Sequence, residues 1–165
     1  MSESIQIRRA VPEEAAELSD LAIRSKAYWG YSKDFLDACV SELTIAPEQF
    51  LDSDFSCFVA VDGDSILGFY SLDAISGVEY ELDALFVEPE RIGRGIGRML
   101  VNHAISVLSG KGAETLIIQG DPHAADFYLA LGARETGERE SGSIPGRYLP
   151  LFELDVRNHV QYVSS

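Results

Sequence analysis

Between positions 91 and 98 the chain reads Arg-Ile-Gly-Arg-Gly-Ile-Gly-Arg. This stretch restricts the possible folds more than any other. It follows an apolar run, Val78 to Val87, that reads as a strand and is closed by Glu88-Pro89. It opens a segment, Gly95 to Leu108, in which Ile96, Met99, Leu100, Ala104, Val107 and Leu108 recur at helical spacing. Glycines at such a junction allow sharp turns and let a ligand approach the backbone closely. The start of the helix then offers N–H groups without intrahelical partners and a partial positive charge. The net charge is −14, from 13 Lys and Arg against 27 Asp and Glu. Even so, Arg91, Arg94 and Arg98 fall together in these eight residues, with no acid among them. A bound anion such as a diphosphate accounts for that concentration of positive charge.

Two common phosphate-binding patterns do not fit. The dinucleotide fingerprint needs Gly-x-Gly-x-x-Gly; counted from Gly93 its third glycine is Arg98, and counted from Gly95 it is Leu100. The nucleoside-triphosphate loop ends in Gly-Lys-Ser/Thr, whereas Lys111 is followed by Gly112.

The rest of the chain supplies an alternating set of elements. Ile5 to Arg9 reads as a strand, and Pro12 opens a helical stretch with Glu13 and Glu14 in its first turn. Ser32 is placed as the N-cap of a second helix through Phe35, Leu36, Cys39, Val40 and Leu43. Phe55 to Val61 and Ser65 to Asp73 form a hairpin about Asp62-Gly63-Asp64. Thr115 to Gln119 is a strand, and Ala124 to Leu131 a short helix stopped by Gly132. Ala133 to Glu138 and Tyr148 to Val156 form a closing strand pair. This order predicts a mixed α/β fold, a sheet flanked by helices. With 165 residues and no Pro/Gly/Ser-rich linker, it predicts one domain over 1–165 with its core at about 5–157.

Composition excludes several classes. A chain this acidic repels a nucleic-acid backbone, though it can attract cationic small molecules. No apolar run approaches the ~20 residues of a membrane span, and Met1 to Arg9 lacks the pattern of a secretory signal. A cytoplasmic protein is expected. Cys39 and Cys57 read as buried free thiols. His103, His123 and His159 lack metal-ligand spacing, so no metal is expected. His103 is expected on the outer surface of its helix, and His123 near the ligand by its position.

The segment Leu85-Phe86-Val87-Glu88-Pro89-Glu90-Arg91-Ile92-Gly93-Arg94-Gly95-Ile96-Gly97-Arg98-Met99-Leu100 resembles the coenzyme A motif of the GCN5-related N-acetyltransferases. Downstream, Asp121-Pro122-His123-Ala124-Ala125-Asp126-Phe127-Tyr128-Leu129-Ala130-Leu131-Gly132-Ala133 resembles their second motif, in the right order and at the right separation. The resemblance implies a mostly antiparallel, splayed sheet of six to seven strands with about four helices. It also implies an acetyl-coenzyme A-dependent N-acetyltransferase. Backbone from about Ile92 to Gly97 would hold the diphosphate, and Leu85, Phe86 and Val87 the pantetheine arm. Asp121, Ala124 and Phe127 would lie along the coenzyme. The sequence departs from the family pattern in having Ile92 where many members carry Gln or Arg, and Asp121 where Asn is common. An ionised Asp accepts hydrogen bonds but cannot donate them.

An alkylamine acceptor resembles Lys, with a pKa of ~10.4, so it must lose a proton before it attacks. Glu81 falls where some members of that family carry a catalytic glutamate, and strand alternation puts Asp83 on the same face. Neighbouring carboxylates raise one another's proton affinity; a solvated acidic strand face is the other reading. Tyr128 matches the family's frequent general acid, a donor to the departing thiolate; packing against the coenzyme is its alternative. Substrate specificity in the family points to Tyr28, Trp29 and Tyr31, which could surround a cation or fill a helix junction. It points also to Arg147, which could meet a substrate carboxylate or be a solvated loop charge. The acceptor is expected to be a small-molecule or peptide amine. A coenzyme A-binding module without turnover is the alternative from another class. A homodimer is expected only from the commonness of two-fold assemblies.

Overall fold

In the computed structural model, residues 4–157 are described. The elements are β1 (Ile5–Arg9), α1 (Ala15–Ala27), α2 (Lys33–Leu43), β2 (Phe55–Asp62), β3 (Ser65–Ala74), β4 (Glu79–Val87), α3 (Ile96–Gly110), β5 (Thr115–Gln119), α4 (Ala125–Ala130), β6 (Arg134–Glu140) and β7 (Tyr148–Asp155). Short 3₁₀ turns occupy Pro12–Glu14, Pro47–Leu51, Pro89–Arg91 and Pro122–Ala124. Each begins with proline, whose fixed φ suits a first helical position. The Pro12 turn precedes α1 rather than forming its first turn. Ser32 caps α2 as expected, accepting from Phe35 N–H at 3.1 Å.

The strands make one sheet in the order β1-β2-β3-β4-β5-β7-β6. Every pair is antiparallel except β4 and β5. That parallel pair holds only from Glu79–Thr115 to Leu82–Ile118. Beyond it, β4 continues to Val87 paired with β3 alone, while Gln119 of β5 pairs with Leu151 of β7. The sheet therefore parts at its middle.

A second irregularity sits at the parting point. Leu82 pairs with Leu72 and Ala84 with Ser71, so Asp83 is the extra residue of a β-bulge. A bulge reverses the side-chain phase downstream of it. Tyr80 and Leu82 pack on the α3 face, and after Asp83 that role passes to Leu85 and Val87, while Ala84 and Phe86 pack on the α1 face.

The two faces carry separate cores. One gathers Ile96, Leu100, Ala104, Ile105 and Leu108 of α3 with Tyr70, Leu116, Ile118 and Phe152. The other gathers Leu18, Leu21 and Ala22 of α1 with Val59 and Phe69. Both cysteines are buried and free, and burial pushes the Cys57 thiol up to about 12. His103 corrects an expectation. It is half-buried against Phe58, with ring centroids 4.9 Å apart, and its Nδ1 lies 2.7 Å from the Tyr70 hydroxyl. The α3 stripe is wider than the sequence spacing implied, so His103 faces the sheet rather than the surface.

Burial lowers the His103 pKa. This proton equilibrium contributes stability above the unfolded-state value of ~6.5, and that contribution is lost as pH falls through the folded value. His103→Leu is expected to cost about 1–3 kcal/mol in urea unfolding, because the buried Tyr70 hydroxyl loses its partner. The same variant is expected to show a smaller decline in stability from pH 7 to 5.5 than the parent.

Candidate active site

The glycine loop takes the form that its sequence requires. Gly93 and Gly95 have φ of +86° and +87°, a left-handed conformation that costs other residues strain. Gly95 is the N-cap of α3, so the first N–H groups of that fifteen-residue helix point out of the turn. Ile96 turns its side chain into the core at 2% exposure and offers the site only backbone. Arg94 and Arg98 are exposed, and Arg91 is partly so. None of the three is ion-paired among the described residues.

Two cavities run along the parted sheet. The first, of about 460 Å³, is lined by Leu85, Val87, Arg91, Ile92, Gly93, Gly95, Gly97, Arg98, His123, Ala124 and Phe127, among others. The second, of about 370 Å³, lies toward α2 and takes in Glu42, Ser71, Glu81, Asp83, Ala84, Phe86, Gln119 and Asp121. Ser25, Trp29, Leu85, Ala124 and Tyr128 line both. The cavities thus meet at a neck beside Tyr128. Gly120 makes room there: a Cβ at that position would stand 3.1 Å from both the Tyr128 and the Phe152 rings. Tyr128 is 6% exposed. Burial first, and then the Asp121 charge, raises its pKa, so its hydroxyl keeps its proton.

The carboxylates of β4 have different surroundings. Glu81 is ion-paired to Arg139 of β6 at 2.8 Å, and Arg139 also donates to Gln119 Oε1 at 3.2 Å. Asp83, on the bulge, is pushed up to about 8 by desolvation, then by a hydrogen bond and charge from Asp73, then by Glu81, with Arg139 opposing. Asp83 is exposed at the cavity edge, and that contact with water limits how far desolvation raises it.

The other sequence candidates fall at different distances from the neck. Asp121 faces the second cavity, not the loop side. Its carboxylate accepts from Lys26 Nζ at 3.0 Å, from the Tyr31 hydroxyl at 2.9 Å and from His123 N–H at 2.9 Å. Burial raises its pKa, but these donors outweigh burial and leave it below the usual carboxylate range. Phe86 lines the second cavity and packs on Phe69; it is not among the described residues that line the first. Trp29 lies at the neck and stacks on His123, centroids 5.0 Å apart and planes at 4°. Tyr28 is 52% exposed and sits edge-on to Trp29, ring centroids 4.9 Å apart. Tyr31 and Arg147 line neither cavity. Arg147 donates to the Tyr31 hydroxyl at 3.0 Å and lies 4.8 Å above Phe35, bracing the β6–β7 loop against α2. Burial and the hydrogen bond to Asp121 push Tyr31 up to about 12. His159 lies outside the described residues.

Lys26, Asp73, Gln119 and Arg139 were not singled out by the sequence reading. Such residues are ordinary in a strand or helix, and only the topology brings Lys26 and Gln119 to the second cavity, Arg139 to Glu81 and Asp73 into register with Glu81.

A helix start fitted with left-handed glycines and unpaired arginines, opening on a channel that ends at a protonated tyrosine, suits a phosphorylated thioester and defines an acyltransferase site. Comparison with known proteins gives the same class. The Acetyltransferase (GNAT) family matches residues 16–133. A peptidyl-lysine N-acetyltransferase, YjaB of Salmonella typhimurium, is 34% identical over 155 residues, covering 91% of this chain and 97% of that protein. A 5-NmdU N-acetyltransferase of Pseudomonas phage PaMx11 is 27% identical over 90% of this chain and 98% of its own length. The PaiA N-acetyltransferase of Thermoplasma acidophilum, solved with coenzyme A, shares the fold with a TM-score of 0.75 at 21% identity, over 92% of this chain and 99% of its own. The chain belongs to the GNAT family and is an acetyl-CoA-dependent N-acetyltransferase.

Gly95→Ala places a Cβ in the left-handed turn, at a cost of about 1–3 kcal/mol. It is expected to lower the melting temperature by about 2–12 °C and, by displacing the N–H groups at the start of α3, to weaken coenzyme A binding about tenfold or more by calorimetry.

Proposed function

We propose that this enzyme acetylates a primary alkyl amine carried by a polypeptide, the side-chain amine of a lysine. The observation that carries the reading is the meeting of the two cavities at Tyr128 and Leu85. The second cavity is lined by the carboxylates of Glu42, Glu81, Asp83 and Asp121, with Lys26 the only cation among the described residues that line it. That balance favours an ammonium group. The names of the Salmonella and Escherichia coli relatives, both peptidyl-lysine N-acetyltransferases, support the same acceptor.

Bound acetyl-CoA supplies a thioester carbonyl open to attack and a thiolate that leaves. The chain's own groups do the rest. The α3 N-terminus and the arginines of the loop hold the diphosphate. Backbone N–H groups of Leu85 to Val87, on the strand that has lost its β5 partner, orient the acyl arm and polarise its carbonyl. Asp83 takes the proton of the acceptor ammonium. An ordinary carboxylate lies about six pH units below an alkylamine. With Asp83 raised to about 8, the gap is about two, which makes it the better base of the two. Glu81, held by Arg139, binds and orients instead. Tyr128 gives its proton to the departing thiolate. Trp29 borders the path of both substrates, and Tyr31 and Arg147 fix the wall formed by α2. Buried free thiols suit the reducing cytoplasm in which we place the reaction.

Thiol release from acetyl-CoA is to be measured across lysine peptides, free diamines and aminoglycosides. Lysine peptides are expected to be the best acceptors, with mass spectrometry locating the acetyl group on Nε. Coenzyme binding without transfer to any amine would mark a non-catalytic module instead. Tyr128→Phe is expected to lower kcat about 100-fold with unchanged coenzyme affinity.

A further inference from the structure

Two buried serines of α1 use their hydroxyls differently. Ser19 donates to the Ala15 carbonyl and accepts from Ile45 N–H, both at 2.8 Å. Ser25 is as deeply buried, at 7% exposure, yet its hydroxyl has no hydrogen-bond partner among the described residues. Every fully enclosed side-chain N or O atom of the unexposed, described residues does have one, so the Ser25 hydroxyl opens into cavity space. A buried polar group without a partner carries a desolvation cost that a ligand relieves. Ser25 lines both cavities, at the neck. Ser71, the buried serine of the second cavity, does not line the first.

The neighbours of Ser25 fix where it points. Arg24 is paired with Glu88, just beyond β4, at 2.5 Å, and Lys26 with Asp121, just beyond β5, at 3.0 Å. These are the two strands that part. Successive helical residues are turned from one another by about 100°, so Ser25 points between its neighbours, over the gap between those strands. Leu85 and Ala124 give the neck apolar walls, and the other hydroxyl among the side chains that line both cavities is that of Tyr128. An oxygen that gathers negative charge in such a place has little water to serve it and gains most from a fixed donor.

We propose that Ser25 is a further catalytic residue: its hydroxyl donates a hydrogen bond to the carbonyl oxygen of the bound thioester and holds the charge that gathers there as the amine adds. Tyr128, in the mechanism above, serves the sulfur instead. Backbone N–H groups of Leu85 to Val87 reach the oxygen from the sheet and Ser25 reaches it from the helix, so its lone pairs are served from two sides. The electrons balance without any bond to Ser25. The carbonyl π pair moves onto oxygen as the N–C bond forms and returns as the C–S bond breaks. The Ser25 proton stays on its own oxygen throughout, so this contribution does not titrate.

The inference rests on the proposed meeting of the substrates at the neck, and the experiment separates the two. Acetyl-CoA labelled with 13C at the carbonyl is bound to the full chain without an amine. Its carbonyl stretch is followed by infrared difference spectroscopy in the parent and in Ser25→Ala. The parent is expected to lower the stretch below its frequency in water, and Ser25→Ala to restore part of that loss. With a lysine peptide, kcat is expected to fall about tenfold or more at little-changed KM, and the midpoints of the pH profile to stay in place. Coenzyme A affinity is expected to be unchanged. The melting temperature should equal or exceed the parent's, because Ala favours helix and no hydrogen bond is lost. A stretch lowered equally in parent and variant overturns the role of Ser25 and leaves the neck as the meeting place. A parent stretch no lower than in water overturns the neck, and Ser25 with it.

Discussion

The separation of β4 from β5 after Leu82 and Ile118 is the constraint on which the rest of the structure depends. A strand that loses one neighbour in mid-sheet exposes a row of backbone donors and acceptors on that side. In a closed sheet these groups would be spent on pairing. Here, from Asp83 to Val87, they face a cleft that continues into the glycine loop and the start of α3. The same parting opens a second cavity beneath α2. Binding groups on one side and acidic groups on the other therefore come from one defect in one strand, and no separate scaffold is needed for each substrate.

The bulge at Asp83 adjusts that strand for both tasks. Its phase reversal sends Leu85 and Val87 to the α3 side, where the first cavity runs, and Phe86 to the side of the second. It also sets Asp83 outside the β3–β4 register, at the edge of the second cavity. Arg139 compensates from β6, holding Glu81 while leaving Asp83 in an acidic setting. Asp121 performs the structural counterpart. Its carboxylate gathers Lys26, Tyr31 and the His123 N–H, locking the α1–α2 turn to the end of β5 and keeping Trp29 stacked at the neck.

Much of this was legible in the sequence, for physical reasons that can be named. Element positions followed from periodicity and turn residues: Thr115–Gln119 as read, and β4 and α3 within two residues at either end. The glycine loop was legible because its chemistry is local; left-handed glycines and a helix start lie next to one another in the chain. The different surroundings of Glu81 and Asp83 were not, because strict alternation carries no sign of a bulge and Arg139 lies 58 residues away from Glu81. His103 was misplaced because its helix is apolar over a wider arc than the six spaced residues suggested. Tyr31 and Arg147 were noticed as substrate groups, yet their partners Asp121 and Phe35 turn them into braces, a distinction set by tertiary contacts alone.

The central claim is that coenzyme and amine reach each other through the neck beside Tyr128. A bisubstrate molecule, coenzyme A joined through a short acetyl linker to the side-chain nitrogen of a lysine peptide, spans both cavities only if they connect there. Calorimetry is predicted to show it binding about 100-fold or more tightly than coenzyme A alone, since the two halves pay the association cost once. Binding no tighter than coenzyme A itself would contradict the account.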